Sequence, residues 1–171
     1  MKALFTKQFF FVTALILIAI ASRFTGVPNV NPIVAIALFG GAYFADKRLA
    51  FIVPIAALFI SDLIIGLHST MWAVYASFIM IGVIGMYMKN RVSFVSVPLA
   101  AVGSSVLFFV LTNFAVWLTG WYPMTFDGLV TCYTMAIPFF RNSIVSDVVF
   151  AAVLFGTYEY VKVRVPSLVA A

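Results

Sequence analysis

Two aspartates lie inside apolar runs of this chain, Asp62 within residues 49–67 and Asp147 near the start of residues 143–160. A charged side chain at the centre of a bilayer costs about 2.5–3.5 kcal/mol on insertion scales, so such groups face a bundle interior and often mark a pathway or a site. Arg23 and Arg141 are the natural counter-ions, because they are the only bases expected on the same side of the membrane. Guanidinium groups in a greasy cavity would hold a polar or anionic ligand. The competing role is structural, with two ion pairs that only tie helix ends together.

The remaining candidates are neutral or singly represented. Asn29 and Asn31 share a loop with Arg23, and Phe109, Asn113 and Trp117 follow one another at i, i+4 and i+8, which places them on one helical face. An aromatic ring, an amide and an indole in a row suit a ring-shaped or polar organic ligand. The same face also suits packing, with Asn113 bonding across to another helix. Trp117, Trp121 and Tyr122 fit an interfacial aromatic belt. His68 is the only histidine and Cys132 the only cysteine. Together they could ligate a soft metal or a cofactor's metal, but no spacing signature supports that, and no metal site or cofactor is expected. The chain has no Gly-x-x-x-x-Gly-Lys-[Ser/Thr] loop, no His-Glu-x-x-His motif and no Gly-x-Ser-x-Gly elbow. An enzyme, and ATP hydrolysis by this chain in particular, are not expected.

The elements that must position these groups follow from composition. Of 171 residues, 65% are hydrophobic and 9% charged, against about 45–50% and about 25% in soluble domains. Five acids and ten bases cannot cover a globule of this length, so lipid is the expected solvent. A span takes roughly 20 residues, which leaves room for about six. The expected fold is all-α and integral to the membrane, one bundle with spans at about 8–22, 32–45, 49–67, 71–88, 97–118 and 143–160.

Several segments depart from a simple span. Residues 8–21, with Lys2 and Lys7 before them and Ala19-Ile20-Ala21 at their end, also resemble a cleavable leader; a retained spanning helix is the expectation. Two prolines, a glycine and two asparagines break the chain between Arg23 and Pro32. The run after them is short for a span, so this loop is expected to dip into the protein. Residues 124–140, with Asp127, Thr131, Cys132 and Pro138, read as a short re-entrant or interfacial helix that does not span. Ala37 and Gly41 on the second run, and Gly82 and Gly85 on the fourth, predict close helix packing. Continuous apolar runs, rather than alternating ones, exclude a transmembrane barrel.

Basic residues orient the bundle. With the N-terminus inside, Lys2, Lys7, Lys47, Arg48, Lys89, Arg91, Lys162 and Arg164 fall on the cytoplasmic side and only Arg23 and Arg141 on the other. Both termini are therefore expected in the cytoplasm. The basic residues form no stripe with interleaved aromatics, so no nucleic acid partner is expected.

The segments 23–44, 51–78 with Ser61-Asp62 and Gly66-Leu67-His68, Thr112-Asn113-Phe114, and Cys132 through Arg141-Asn142 resemble a bacterial family of small multi-pass membrane proteins of unknown function. That family is similar in size and layout to the substrate-binding S components of energy-coupling factor vitamin transporters, and to a related solitary cobalamin transporter family. The resemblance implies residence in the bacterial inner membrane, with capture of a small vitamin-like molecule at an outward-facing site. Release inward would follow, with or without an ATPase coupling module. In the solitary family a cysteine can ligate cobalt, but neither Cys132 nor His68 is matched to that position. The expected site comprises Arg23, Asn29, Asp62, His68, Asn113, Trp117, Arg141 and Asp147. The alternative is a non-transporting scaffold or assembly subunit whose polar cluster is structural.

Overall fold

A computed structural model describes residues 7–164, with side chains from Phe10 onward. Lys2, counted in the orientation argument, lies outside the described residues, as does the side chain of Lys7. The described residues form six helices and no strand: α1 (Lys7–Ser22), α2 (Ile33–Tyr43), α3 (Leu49–Ile65), α4 (Met71–Tyr87), α5 (Ser96–Leu118) and α6 (Phe126–Arg164).

The centre of the bundle is α2. Its residues are apolar or small on every side, and all of them from Ile33 to Ala42 are buried, as expected of a helix with no polar face. It packs against α3, α4, α5 and α6, while α1 lies on α3. The seam between α2 and α4 is made by backbone meeting backbone. A Cβ built on Gly41 would stand 2.5 Å from the Gly82 carbonyl oxygen, and one on Gly85 would stand 2.4 Å from that of Leu38. The small residues foreseen on these two runs therefore pack on each other inside the chain.

The outward faces reverse the pattern of a soluble protein. Val106, Val110 and Phe114 on α5, and Val145, Val149 and Val153 on α6, are each more than 40% exposed at i, i+4, i+8 spacing. Meanwhile Ser61, Asp62, Ser77, Ser104, Ser105 and Asp147 are buried. Exposed apolar stripes of this extent mark contact with lipid or a partner rather than water. By length and composition α5 and α6 are able to cross a membrane, whereas α1 to α4 are shorter apolar helices.

The largest correction concerns α6. The expected short helix over 124–140 and the expected span over 143–160 are one 39-residue helix that runs through Pro138, about 58 Å long at 1.5 Å per residue. Proline removes a single backbone donor, and contacts with α5 compensate. Phe140 stacks on Phe109 with centroids 4.4 Å apart, and the Tyr133 hydroxyl donates to the Val110 carbonyl at 2.7 Å. An antiparallel α5–α6 hairpin results, turned at 119–125. At its other end Phe155 and Tyr158 pack edge-on against Phe39 of α2, and the Tyr43 hydroxyl donates to Glu159.

Candidate functional site

The cluster is built where α1 stops. Beyond Ser22 the chain turns through Gly26, whose φ is +77°, and then Asn29 at φ +60°, a left-handed conformation that asparagine tolerates better than most residues. This loop is fastened to α6. The Asn31 amide donates to Ser146 Oγ at 3.0 Å, and Ser146 Oγ donates back to the Asn31 carbonyl at 3.1 Å. Asn142 Nδ2 donates to the Pro28 carbonyl at 3.2 Å, and Asn29 Nδ2 reaches that of Phe139 at 3.5 Å. Asn31 Oδ1 accepts from the Ile33 amide, so one residue both anchors the loop and satisfies the first backbone donor of α2.

From the start of this loop Arg23 reaches across to α3. Its Nη1 stands 2.6 Å from Asp62 Oδ1 and donates to Ser61 Oγ at 2.6 Å and to the Leu58 carbonyl at 3.2 Å. Asp62 Oδ2 accepts from the Tyr75 hydroxyl of α4 at 2.9 Å. The Asp62 side chain is 1% exposed and that of Arg23 20%. Three helices are thereby tied at one level, and the arginine's charge is matched.

Asp147 has a different surrounding. It is 4% exposed, its Oδ2 accepts from Ser105 Oγ at 2.6 Å, and among the described residues nothing bonds to its Oδ1. The expected ion pair with Arg141 does not form. Six residues along one α-helix amount to about 600°, which leaves the two side chains on different faces. Arg141 accordingly points away, exposed.

Between these groups lies a cavity of about 440 Å³ whose walls include Arg23, Asn29, His68 and Asp147, with Val34, Phe78, Phe108 and Ser143. His68, exposed at its rim, has Nδ1 2.9 Å from Thr70 Oγ1. A second cavity of about 170 Å³ adjoins it, lined by Asn113 and Thr112 and sharing Asn29, Phe108 and Ser143 with the first.

Of the eight expected site residues, five line one cavity or the other: Arg23, Asn29, His68 and Asp147 the larger, and Asn29 and Asn113 the smaller. Asp62 sits behind Arg23. Trp117 and Arg141 are in neither wall. The face traced by Phe109, Asn113 and Trp117 does not present its polar groups together, since Asn113 Nδ2 donates to the Phe109 carbonyl of its own helix at 2.8 Å and Trp117 Nε1 to the Pro123 carbonyl at 2.9 Å. Cys132 is buried, its thiol 3.4 Å from the Asn113 carbonyl. No group of three potential metal ligands occurs among the described residues. Phe78, Phe108, Ser105 and Ser143 are wall or support residues that were not singled out from sequence; the pair Ser104-Ser105 inside an apolar run was the signal available for one of them. At the opposite end of the bundle Lys47 donates to the Gly41 carbonyl at 2.8 Å, and burial, with Lys89 nearby, lowers its pKa.

Compared with known families, residues 4–168 match the model of a family of unknown function (DUF6580). No curated protein and no solved structure matches the chain.

Proposed function

Since the chain belongs to that family, whose description names no activity, we propose from its own geometry that it is a membrane-embedded binding protein for a small polar organic molecule, acting in transport. The observation that carries this reading is the cavity of about 440 Å³ beside the Arg23 loop, with Arg23, Asn29, His68 and Asp147 in its walls. Its size falls in the range of about 300–1,000 Å³ usual for small-molecule sites. The apolar stripes on α5 and α6 support immersion in lipid, and six helices with Lys47, Arg48, Lys89, Arg91, Lys162 and Arg164 on one side and Arg23 and Arg141 toward the other support both termini in the cytoplasm. In that setting α2 is an interior helix with no lipid contact, and the cavity opens toward the outer side of a bacterial inner membrane. In this reading the protein works in the manner of an energy-coupling factor S component, with or without an ATPase module.

The test is mass spectrometry of small molecules retained by the detergent-purified protein. A single species is expected to co-purify with the wild type and to be lost from Val30→Trp, which fills the cavity from its loop. Retention unaffected by Val30→Trp would show that the ligand sits elsewhere. The exposed apolar face of the α5–α6 hairpin supports a second reading, that of a scaffold subunit. A stoichiometric protein complex from native membranes with no small ligand would favour it.

A further inference from the structure

The charges around the larger cavity are unequal. Arg23 is matched by Asp62 at 2.6 Å, with Ser61 and Leu58 taking further bonds from the same Nη1. Arg141 is exposed and outside both cavity walls. What remains is Asp147, 4% exposed, with one oxygen held by Ser105 and the other free of any bond among the described residues. The aromatic residues lining the same cavity are Phe78 and Phe108, whose rings meet edge to face at 5.7 Å. A carboxylate with a spare oxygen beside aromatic rings is a recognition pattern for a cation, because the oxygen accepts N–H bonds and the ring faces attract positive charge. It is poor for an anion, which would meet a like charge in a water-poor site.

We propose that the cavity takes an organic cation, a protonated amine or cationic nitrogen heterocycle carried on a flat ring, with Asp147 as its counter-ion and Phe78 and Phe108 as its aromatic walls. This rests on the cavity being a ligand site. It departs from the expectation from sequence that the arginines would hold a polar or anionic ligand. The free Asp147 oxygen has no cation beside it among the described residues, and a cationic ligand supplies that partner.

Two probes of one size separate charge from shape: tryptamine, a protonated arylalkylamine, and indole-3-acetate, its anionic counterpart. Binding is measured by equilibrium dialysis to the whole protein in lipid nanodiscs, with a thermal midpoint recorded for each variant. Tryptamine is expected to bind at least tenfold more tightly than indole-3-acetate. Asp147→Asn, which keeps an acceptor for Ser105, is expected to remove that preference. Phe108→Leu, which leaves every charge in place, is expected to weaken tryptamine several-fold; it carries the test should Asp147→Asn fail to fold. Equal or tighter binding of indole-3-acetate, both probes being excluded by Val30→Trp, overturns the cation assignment while the ligand site stands. Unchanged preference in Asp147→Asn overturns it too. If neither probe binds, or if Val30→Trp leaves binding intact, the ligand-site reading fails and the assignment goes with it.

Discussion

Asp62 on α3 and Asp147 on α6 are the two buried aspartates among the described residues. Each is almost wholly buried near the same cavity, yet the loop after α1 and helix α4 give the first an arginine and a tyrosine, while α5 gives the second only a serine hydroxyl. Burial alone therefore does not distinguish a structural carboxylate from one free to recognise something. The number and charge of its partners do. Where an opposite charge stands beside the carboxylate, a substitution acts on stability; where none does, it acts on binding.

The largest effect should come from the ion-paired side. Arg23→Ala would leave Asp62 buried with its charge uncompensated, and breaking such a pair costs about 3–5 kcal/mol. About 3 kcal/mol is expected, since Arg23 keeps a fifth of its exposure. Denaturant titration in mixed micelles would show it, and the double variant with Asp62→Ala should be less damaged than the sum of the singles. A strictly additive result would dissolve the contrast between the two halves.

Tyr75→Phe comes next, removing the hydroxyl that donates to Asp62 Oδ2 at 2.9 Å. Hydrogen bonds to charged groups contribute about 1.5–3 kcal/mol, and the remaining ion pair places this loss near the lower bound. Asp147→Asn should then shift stability by less than about 1 kcal/mol in either direction, because an amide still accepts from Ser105 and no charge is left to desolvate. Ligand retention should nonetheless fall at least tenfold. A large loss of stability with retention intact would make Asp147 a second Asp62.

How far the sequence could foretell this differs by element. Hydropathy placed α3, α4 and α5 to within a residue or two at their ends, because in those segments the apolar run and the helix coincide; it carried α3 two residues too far, past Gly66. For α6 the run and the helix did not coincide. Pro138 and the polar residues around it read locally as an interruption, and the contacts that carry the helix through, Phe140 on Phe109 and Tyr133 on Val110, join residues far apart in sequence. The close seam was legible as Ala37, Gly41, Gly82 and Gly85, since small residues at helical spacing leave few other uses. At the candidate site, the polar residues of the first loop and of α3 were identified by type. Their pairing needed three dimensions: Tyr75 carries no mark that it reaches Asp62, and Ser105 none that it bonds to Asp147.

Arg141 is where sequence arithmetic could have corrected itself, and it supplies the smallest expected effect. Six positions before Asp147 on one helix, it lies roughly 9 Å away along the axis and on another face, and its exposed side chain has no ion pair among the described residues. Arg141→Ala should therefore leave the thermal midpoint unmoved and ligand retention within twofold of wild type. The same substitution made in an Asp147→Asn background should add nothing, as distant uncoupled sites do. A tenfold loss of retention from Arg141→Ala alone would mean that the guanidinium turns into the cavity when a ligand is present. The cavity would then carry a second charge opposite in sign to Asp147, and the ligand it fits would be a zwitterion rather than a simple cation.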